Sequence, residues 1–207
     1  MLRPPDPSTP RPRAVAAPLA LVLVIGACAS DGRDLGDARA PDLGGVVSAT
    51  TADLPLVQDG PNGMSIASPA FSPGAALPSR FTANGLNLSP PLVFELAPIN
   101  TTELALVVRD ADTDFVHWLV TGIAPSVARW PEGAVTPESI EHDNDAGTTG
   151  WAGPDTLEGA KGRLQFELYA LGAPLGFTAG ADQTDVLAAL QAETLGRAAF
   201  IGRYGSA

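Results

Sequence analysis

The sequence predicts a mainly β fold, an antiparallel Greek-key β-sandwich with peripheral helices. From about Met64 onward, short apolar stretches of strand length alternate with turns rich in Pro, Gly and Asn. Residues 104–108 form a continuous apolar run, which is typical of a strand buried on both faces. Helical spacing appears mainly near the C-terminus, in residues 184–195. Several short strands with one late helix favour two packed sheets joined by Greek-key connections.

Each predicted element has a local signal. Residues 92–96 follow a turn formed by Ser89 and two prolines, and residues 164–171 alternate around Phe166. Thr184 is a suitable N-cap for the helix, because its hydroxyl can accept a hydrogen bond from a free amide of the first turn. The predicted strands are residues 65–71, 92–96, 104–108, 115–123, 164–171 and 198–204.

The N-terminus has the features of a bacterial export signal. Three arginines precede an apolar run over residues 14–25, which suits a signal peptide and is too short to span a bilayer as a mature helix. The run ends in Ile-Gly-Ala-Cys, which resembles the lipobox of bacterial lipoproteins, and Cys28 is the only Cys in the chain. We therefore expect a lipoprotein signal peptide over residues 1–27 and a lipid on Cys28. An ordinary signal peptide and an uncleaved anchor helix stay open as alternatives.

Residues 28–62 are rich in Asp, Gly, Ala, Pro and Ser and show little periodicity. Such composition is typical of a flexible linker, so we expect an acidic tether between the lipid and a folded domain over residues 63–207. Ala29 follows the lipidated position, so the Asp that retains some lipoproteins at the inner membrane is absent. The expected location is the bacterial cell envelope, with the domain lipid-anchored and facing the periplasm or the exterior.

The mature chain is expected to be strongly acidic. The full sequence has a formal net charge of −11, and removing residues 1–27 takes away three Arg and one Asp, which leaves −13. Such a surface repels nucleic acid and anionic lipid headgroups, so the expected membrane contact is the lipid anchor alone. Two His, one Cys and scattered acids predict no metal site, and no cofactor is expected. His142 lies in a polar loop, where we expect it to be exposed.

The densest polar cluster directly follows a predicted buried strand. If this stretch is extended, Asp110, Asp112 and Asp114 point to one side of it. His117 lies within reach if the chain then turns and pairs back. An EF-hand calcium loop is disfavoured, because its sixth position is Phe115 rather than Gly and no flanking helices are predicted. An acid–His pair in a pocket and a solvated acidic turn with a structural histidine both stay open.

A second informative stretch is residues 144–154, with glycines at positions 147, 150 and 153. Glycines permit a positive φ and a close approach of a ligand to backbone amides. Taken alone, such a loop is commonly just a turn.

Both stretches belong to a set of short segments distributed over about residues 64–207. In chain order these are SPAF (68–71), FTANGLNLSPPL (81–92), DAD (110–112), HW (117–118), NDAGTTGWAGP (144–154), FELYAL (166–171) and GRY (202–204). As an ordered combination they resemble the phosphatidylethanolamine-binding protein family, and more closely its bacterial Raf-kinase-inhibitor-like branch. The resemblance implies a β-sandwich with a small pocket that binds phosphate or carboxylate groups.

The resemblance also implies which residues form that pocket. A histidine and backbone N–H groups from the Gly-rich loop suit an oxyanion, and a tyrosine approaches from the end of the chain. The first aspartate would orient the histidine or accept from a hydroxyl or ammonium group on the ligand. By position, the implied ligand-binding residues are Asp110, Asp112, His117, Trp151, Gly153, Pro154 and Tyr204.

The sequence departs from the family pattern just before the late strand, where the family usually has His-Arg-Tyr. Gly162 and Leu164 stand at the His and Tyr positions, so two pocket donors are missing. The usual Cys after Gly-Gly-Pro is Asp155, which adds a carboxylate nearby. We therefore expect an anion pocket that is weakened, altered or lost.

These observations predict a lipid-anchored binding module for a small anionic or polar ligand. We expect no enzymatic activity, because no nucleophile in a strained turn is evident beside His117, and a hydrolase is the least favoured alternative. The other alternative is an inhibitor or regulator of a protein partner such as a protease, since some family members act in this way.

Overall fold

The described part of the chain contains two antiparallel sheets, one α-helix and three short 3₁₀ helices. The computed structural model describes residues 54–205. The predicted signal peptide, Cys28 and residues 28–53 of the predicted tether lie outside them. Within the described part, no helix has both the length and the apolar character needed to cross a membrane. The mainly β, antiparallel sandwich that the sequence predicts is confirmed.

Besides the 3₁₀ helices, the described residues form nine strands and one α-helix. They are β1 (Val57–Gln58), β2 (Ser65–Ala67), β3 (Leu92–Glu95), β4 (Glu103–Asp110), β5 (Val116–Ile123), β6 (Arg129–Trp130), β7 (Ile140–Glu141), β8 (Gly162–Leu171), α1 (Gln183–Glu193) and β9 (Thr194–Tyr204). One sheet has the order β1-β9-β8-β4-β5-β7 and the other the order β2-β3-β6. Sequence patterns missed β1, β6 and β7, since two residues are too few to show a period of two.

Strand β4 is buried on both faces, as its continuous apolar run predicts. Leu106 and Val108 belong to the core between the two sheets, whereas Ala105 and Val107 pack with α1 on the opposite face. Successive side chains of a strand point to opposite faces, so a strand covered on both sides needs apolar residues throughout. This rigid central strand ends at Asp110, which places the polar turn after it at the rim of the sheet.

The predicted tether over residues 28–62 extends too far toward the C-terminus, because residues 57 and 58 form a strand. Val57 pairs with Phe200 and Gln58 with Ala199 at the edge of the larger sheet. Both residues of β1 are exposed, so the sequence shows no alternation of apolar and polar residues there. The linker is predicted from composition alone.

His142 is fully buried, although its polar surroundings in the sequence predict exposure. Its Nε2 lies 2.7 Å from Thr121 Oγ1 on the neighbouring strand. The polar loop folds back against β5, where the His142 amide donates to the Leu119 carbonyl oxygen at 2.9 Å. A tertiary contact of this kind leaves no local signal in the sequence.

The N-cap of α1 is Asp182 rather than the predicted Thr184. Asp182 Oδ1 accepts hydrogen bonds from the Thr184 amide at 2.9 Å and the Asp185 amide at 3.4 Å. The carboxylate satisfies two free amides and interacts favourably with the positive end of the helix. The helix also ends at Glu193, so β9 begins four residues earlier than the predicted strand at 198.

Replacing Asp182 with alanine is expected to lower the free energy of unfolding by about 1 kcal/mol, because two amides lose their acceptor. Thr184→Ala is the matched control, with an expected change of less than about 0.5 kcal/mol. Chemical denaturation of both variants measures the difference. An equal or larger effect of Thr184→Ala would contradict the Asp182 cap.

Candidate functional site

A tight turn at the end of β4 is built around the carboxylate of Asp110. Its Oδ1 accepts hydrogen bonds from the Asp112 amide at 2.9 Å, the Thr113 amide at 2.8 Å and the Thr113 hydroxyl at 2.9 Å. The chain reverses at once, and Asp114 adopts a positive φ of 61°. The stretch is therefore not extended, and the condition under which the three aspartates would share one side is not met, because Asp110 closes a local turn through its own side chain.

The second oxygen of Asp110 accepts from the end of the chain. The Tyr204 hydroxyl donates to Asp110 Oδ2 at 2.7 Å. Burial would raise the pKa of Asp110, but hydrogen bonds from Tyr204, Thr113 and the turn amides outweigh burial and lower this pKa. Burial and the bond to Asp110 raise the pKa of Tyr204. At neutral pH Asp110 is therefore an anion, and Tyr204 is a donor committed to it.

His117 lies on β5, and the Gly-rich loop fixes the orientation of its ring. Nδ1 lies 2.7 Å from the Ala152 carbonyl oxygen, which can only accept, so Nδ1 carries the proton. Burial lowers the pKa of His117 below its ordinary value of 6.5, and the bond to Ala152 and the charges of Asp110 and Asp145 offset only part of this. The neutral ring therefore keeps its lone pair on Nε2.

These groups line one cavity of about 280 Å³, which we call the acceptor pocket. Its described lining contains no Lys or Arg, and its two hydroxyl groups both donate to the same carboxylate. The Phe115 ring forms an aromatic wall, with its centroid 4.8 Å from that of His117. Carboxylates, an imidazole lone pair and aromatic rings suit an ammonium group or a hydroxyl donor better than an oxyanion. The lining residues are Asp110, Thr113, Phe115, His117, Pro154, Asp155, Ala160 and Tyr204.

The structure brings together four of the seven residues that the sequence nominates for the site, namely Asp110, His117, Pro154 and Tyr204. Asp112 lies outside the acceptor pocket, on a neighbouring cleft. Sequence reasoning missed Thr113, Phe115 and Ala160 as lining residues. Thr113 and Phe115 lie inside the polar cluster identified in the sequence. Their position between Asp110 and His117 could have indicated that they line the pocket.

Trp151 and Gly153 lie in the predicted loop but have structural contacts. Trp151 Nε1 donates to the Phe81 carbonyl oxygen at 3.2 Å, and the indole packs against the main core. The Gly153 amide donates to Asn87 Oδ1 at 2.8 Å, and a Cβ at this position would lie 2.4 Å from the Phe81 carbonyl oxygen. The Gly153 amide is thus engaged within the chain, contrary to the expectation that it serves a ligand.

Among residues 54–205, no group of three or more His, Cys, Asp or Glu side chains is arranged to hold a metal ion.

Comparison with known proteins covers nearly all of this domain. The family model described as Phosphatidylethanolamine-binding protein matches residues 67–205. This chain belongs to the phosphatidylethanolamine-binding protein family. The resemblance proposed from the sequence motifs is therefore confirmed.

Relatives in this family include a Mycobacterium tuberculosis protein named "Putative lipoprotein LppC", 35% identical over 193 residues that cover 91% of this chain and 93% of the relative. A UPF0098 protein from Methanothermobacter thermautotrophicus is 36% identical over 149 residues, which cover 68% of this chain and 98% of the relative. The crystal structure of the phosphatidylethanolamine-binding protein homologue CT736 from Chlamydia trachomatis has a TM-score of 0.64 at 30% identity, covering 70% of this chain and 98% of that one.

Gly162 shapes the acceptor pocket by leaving room for Tyr204. A Cβ at this position would lie 2.5 Å from the Tyr204 hydroxyl oxygen and 2.8 Å from Asp110 Oδ2. The Tyr204 hydroxyl therefore fills the space that any side chain at position 162 would need. Leu164 is buried in the core between the sheets, so neither departure from the family pattern supplies a ligand donor.

The free energy of unfolding is expected to fall as the pH is lowered from about 7 to about 5, because two histidines resist protonation in the folded chain. Burial lowers the pKa of both His117 and His142 below 6.5, so the unfolded chain binds protons first. The slope reaches at most about 1.4 kcal/mol per pH unit for each histidine. Urea denaturation between about pH 5 and about pH 7 measures this pH dependence. The double variant His117→Gln/His142→Gln should have a smaller dependence of the free energy of unfolding on pH. A stability that rises on acidification would contradict the two lowered pKa values.

Proposed function

We propose that this protein is a lipid-anchored binding module, not an enzyme, that holds a small polar ligand through an ammonium or hydroxyl group in the acceptor pocket. One observation carries the proposal. At neutral pH the pocket offers ionised Asp110, a second carboxylate on Asp155 and the Nε2 lone pair of His117. A ligand must bring donors to such a lining, since acceptors facing acceptors repel.

The proposed ligand differs from the anion that the sequence favours. That expectation takes His117 as a donor, whereas its donor nitrogen Nδ1 is already bonded to Ala152. The Tyr204 hydroxyl is likewise directed at Asp110. An ammonium group could instead contact the carboxylates and the face of Phe115, which combines charge pairing with a cation–π contact.

The same geometry argues against hydrolysis. A serine-type mechanism needs a hydroxyl held by the histidine that activates it. Thr113 and Tyr204 carry the hydroxyl groups of the described pocket lining, and both donate to Asp110 rather than to His117.

Methylammonium and acetate, as probes of similar size and opposite charge, test the ligand class. Calorimetric titration of the full-length chain at neutral pH should show methylammonium binding and no acetate binding. Asp155→Asn should weaken methylammonium binding by about tenfold, as expected for loss of a direct charge contact. Asp143→Asn, which removes an exposed carboxylate outside the pocket, is the matched control and should have no effect. Acetate binding in place of methylammonium would refute the proposed ligand class.

The lipid anchor is supported by the lipobox-like sequence at Cys28 and by a relative that bears a lipoprotein name. The anchor would place the domain at the cell envelope, facing the periplasm or the exterior. Metabolic labelling with a radioactive fatty acid should mark the protein and should fail in Cys28→Ser. A label that persists in this variant would exclude lipidation at Cys28.

A further inference from the structure

An apolar surface lies at the end of the sandwich opposite to the acceptor pocket. Strand β4 runs from Glu103 to Asp110, so this end is about 23 Å from the turn at Asp110. Three large apolar side chains are exposed here to 66%, 86% and 46%, namely Leu96, Ile99 and Leu195. A single exposed leucine is ordinary, but a cluster of exposed apolar side chains marks a surface for interaction. We call this surface the apolar cap.

The cap is held together by close contacts between two segments of the chain. A Cβ at Gly196 would lie 3.2 Å from Cγ of buried Pro98 and 2.5 Å from Cγ of Pro61. A Cβ at Gly63 would lie 3.2 Å from Leu96 Cδ1. The loop between β3 and β4 therefore packs against the start of β9 and the segment before β2. The exposed members of the cap are Pro61, Leu96, Ile99 and Leu195.

The backbone of Leu96 is strained. Its φ is 53°, a left-handed conformation that bulky side chains rarely adopt. Such a conformation persists only where the surrounding structure enforces it, and strained residues of this kind cluster at sites of binding. At this position the strain keeps a leucine on the surface, directly after the buried strand residue Phe94 and its exposed neighbour Glu95.

A notch of about 160 Å³ opens beside Leu96. Core side chains line its floor, namely Phe94, Leu104 and Leu168, and Glu95 stands at its rim. Sites for drug-sized ligands begin at about 300 Å³, so the notch has room for about one apolar side chain. A side chain that enters the notch extends the core between the two sheets.

The border of the cap is acidic. Three exposed carboxylates each stand within two residues of a cap member, namely Asp59, Glu95 and Glu193. None of them belongs to an ion pair within residues 54–205. Of the described cations, Arg129 lies close by register, on the strand that pairs with β3, whereas the guanidinium of Arg197 contacts Glu167. Three carboxylates and one guanidinium leave this border with a net negative charge, which attracts cations.

We propose that the apolar cap binds a protein segment that presents an apolar side chain flanked by Lys or Arg. The apolar side chain fills the notch, and the flanking cations pair with the carboxylates of the border. A second copy of this chain is a poor occupant, because a symmetric contact brings the same carboxylates face to face. The cap shares no residue with the acceptor pocket, so this proposal goes beyond the proposed function and the two can fail independently.

The probe is a capped, dye-labelled peptide of sequence Lys-Gly-Leu-Gly-Lys, because residues two apart share one face of an extended segment. Fluorescence anisotropy of this peptide should rise when the full-length chain is added at neutral pH and low salt. The peptide Glu-Gly-Leu-Gly-Glu has the opposite charge, and Lys-Gly-Gly-Gly-Lys lacks the apolar side chain. We expect both of these peptides to bind at least about tenfold more weakly.

The double variant Leu96→Gly/Ile99→Ser removes the apolar side chains of the cap and should raise the Kd of the first peptide by about tenfold or more. Glycine accepts the positive φ at position 96, so the fold is kept. Leu86→Ser/Leu157→Ser removes two other exposed leucines and is the matched control, with an expected change of less than about twofold. Glu95→Gln should raise the Kd by about threefold, and Asp143→Asn should leave it unchanged.

Weaker binding by the cap variant than by its control supports the proposal. Failure of the first peptide to bind, or equal binding by the cap and control variants, would overturn it. Analytical ultracentrifugation and binding to phosphatidylcholine vesicles test the other occupants. Self-association or vesicle binding that is lost in the cap variant, without peptide binding, would assign the cap to a second copy or to a bilayer and would also refute the proposal.

Discussion

Asp110→Ala is expected to lower the free energy of unfolding by about 3–4 kcal/mol, the largest effect of any single change at the site. The buried carboxylate accepts from two amides of its own turn and from the hydroxyls of Thr113 and Tyr204. Alanine removes all four acceptor contacts at once and leaves the partly buried donors without a replacement. Urea denaturation monitored by tryptophan fluorescence measures the loss.

Asp110→Asn separates the structural role of this residue from its role in binding. The amide oxygen of asparagine can still accept from the turn, so the expected cost is only about 1–2 kcal/mol. The charge is lost, and methylammonium affinity should fall by about tenfold or more. Asp114→Asn is the matched control, because it removes an exposed charge from the same turn and asparagine tolerates its positive φ. If Asp110→Asn binds methylammonium like the unchanged protein, Asp110 is a purely structural residue.

Gly162→His is the second change with a large expected effect. It introduces the residue that the resemblance described above implies for this position, and its Cβ would collide with Tyr204 and Asp110. Tyr204 must therefore move away, at an expected cost of about 1–3 kcal/mol in the free energy of unfolding. The released hydroxyl should titrate nearer to its ordinary pKa of 10. Ultraviolet difference titration can follow this change, because Tyr169 and Tyr204 are the only tyrosines in the chain.

A comparison of Gly162→His in the unchanged protein and in Tyr204→Phe tests whether the cost of a side chain at position 162 depends on the Tyr204 hydroxyl. Tyr204→Phe removes the hydroxyl oxygen, which would lie 2.5 Å from the added Cβ, but keeps the ring carbon Cζ at 2.6 Å. Gly162→His added to Tyr204→Phe should therefore cost less than Gly162→His alone, although part of the collision stays. A double-mutant cycle gives the coupling between the two positions. Strictly additive effects would show that position 162 does not act through the Tyr204 hydroxyl.

The sequence was sufficient for the fold because long strands leave a clear pattern. The apolar run of β4 and the alternation in β8 follow from burial of their faces. The edge strand β1 forms by pairing with Phe200, and the burial of His142 depends on Thr121. Both partners are distant in the sequence, so no local pattern predicts either feature. The cap of α1 was misplaced by two residues because Asp182 and Thr184 are both good N-caps and only geometry chooses between them.

The sequence predicts several residues of the pocket but not the charge of the ligand that the pocket suits. Family motifs pointed to Asp110, His117 and Tyr204, which do meet in one pocket. The missing donor at Gly162 is also evident from the sequence. The direction of each hydrogen bond is not, because it depends on which carbonyl faces Nδ1 of His117 and on where the Tyr204 hydroxyl points. Those two directions turn an expected anion pocket into an acceptor pocket.

The most direct test of this account is nitrogen NMR of the histidine rings at neutral pH. The chain has only two histidines, so a ¹⁵N-histidine-labelled sample gives a readable spectrum. We expect His117 to be neutral with its proton on Nδ1, and its Nε2 signal to shift on addition of methylammonium but not of acetate. A doubly protonated His117 at neutral pH whose signals respond to acetate would contradict the acceptor pocket.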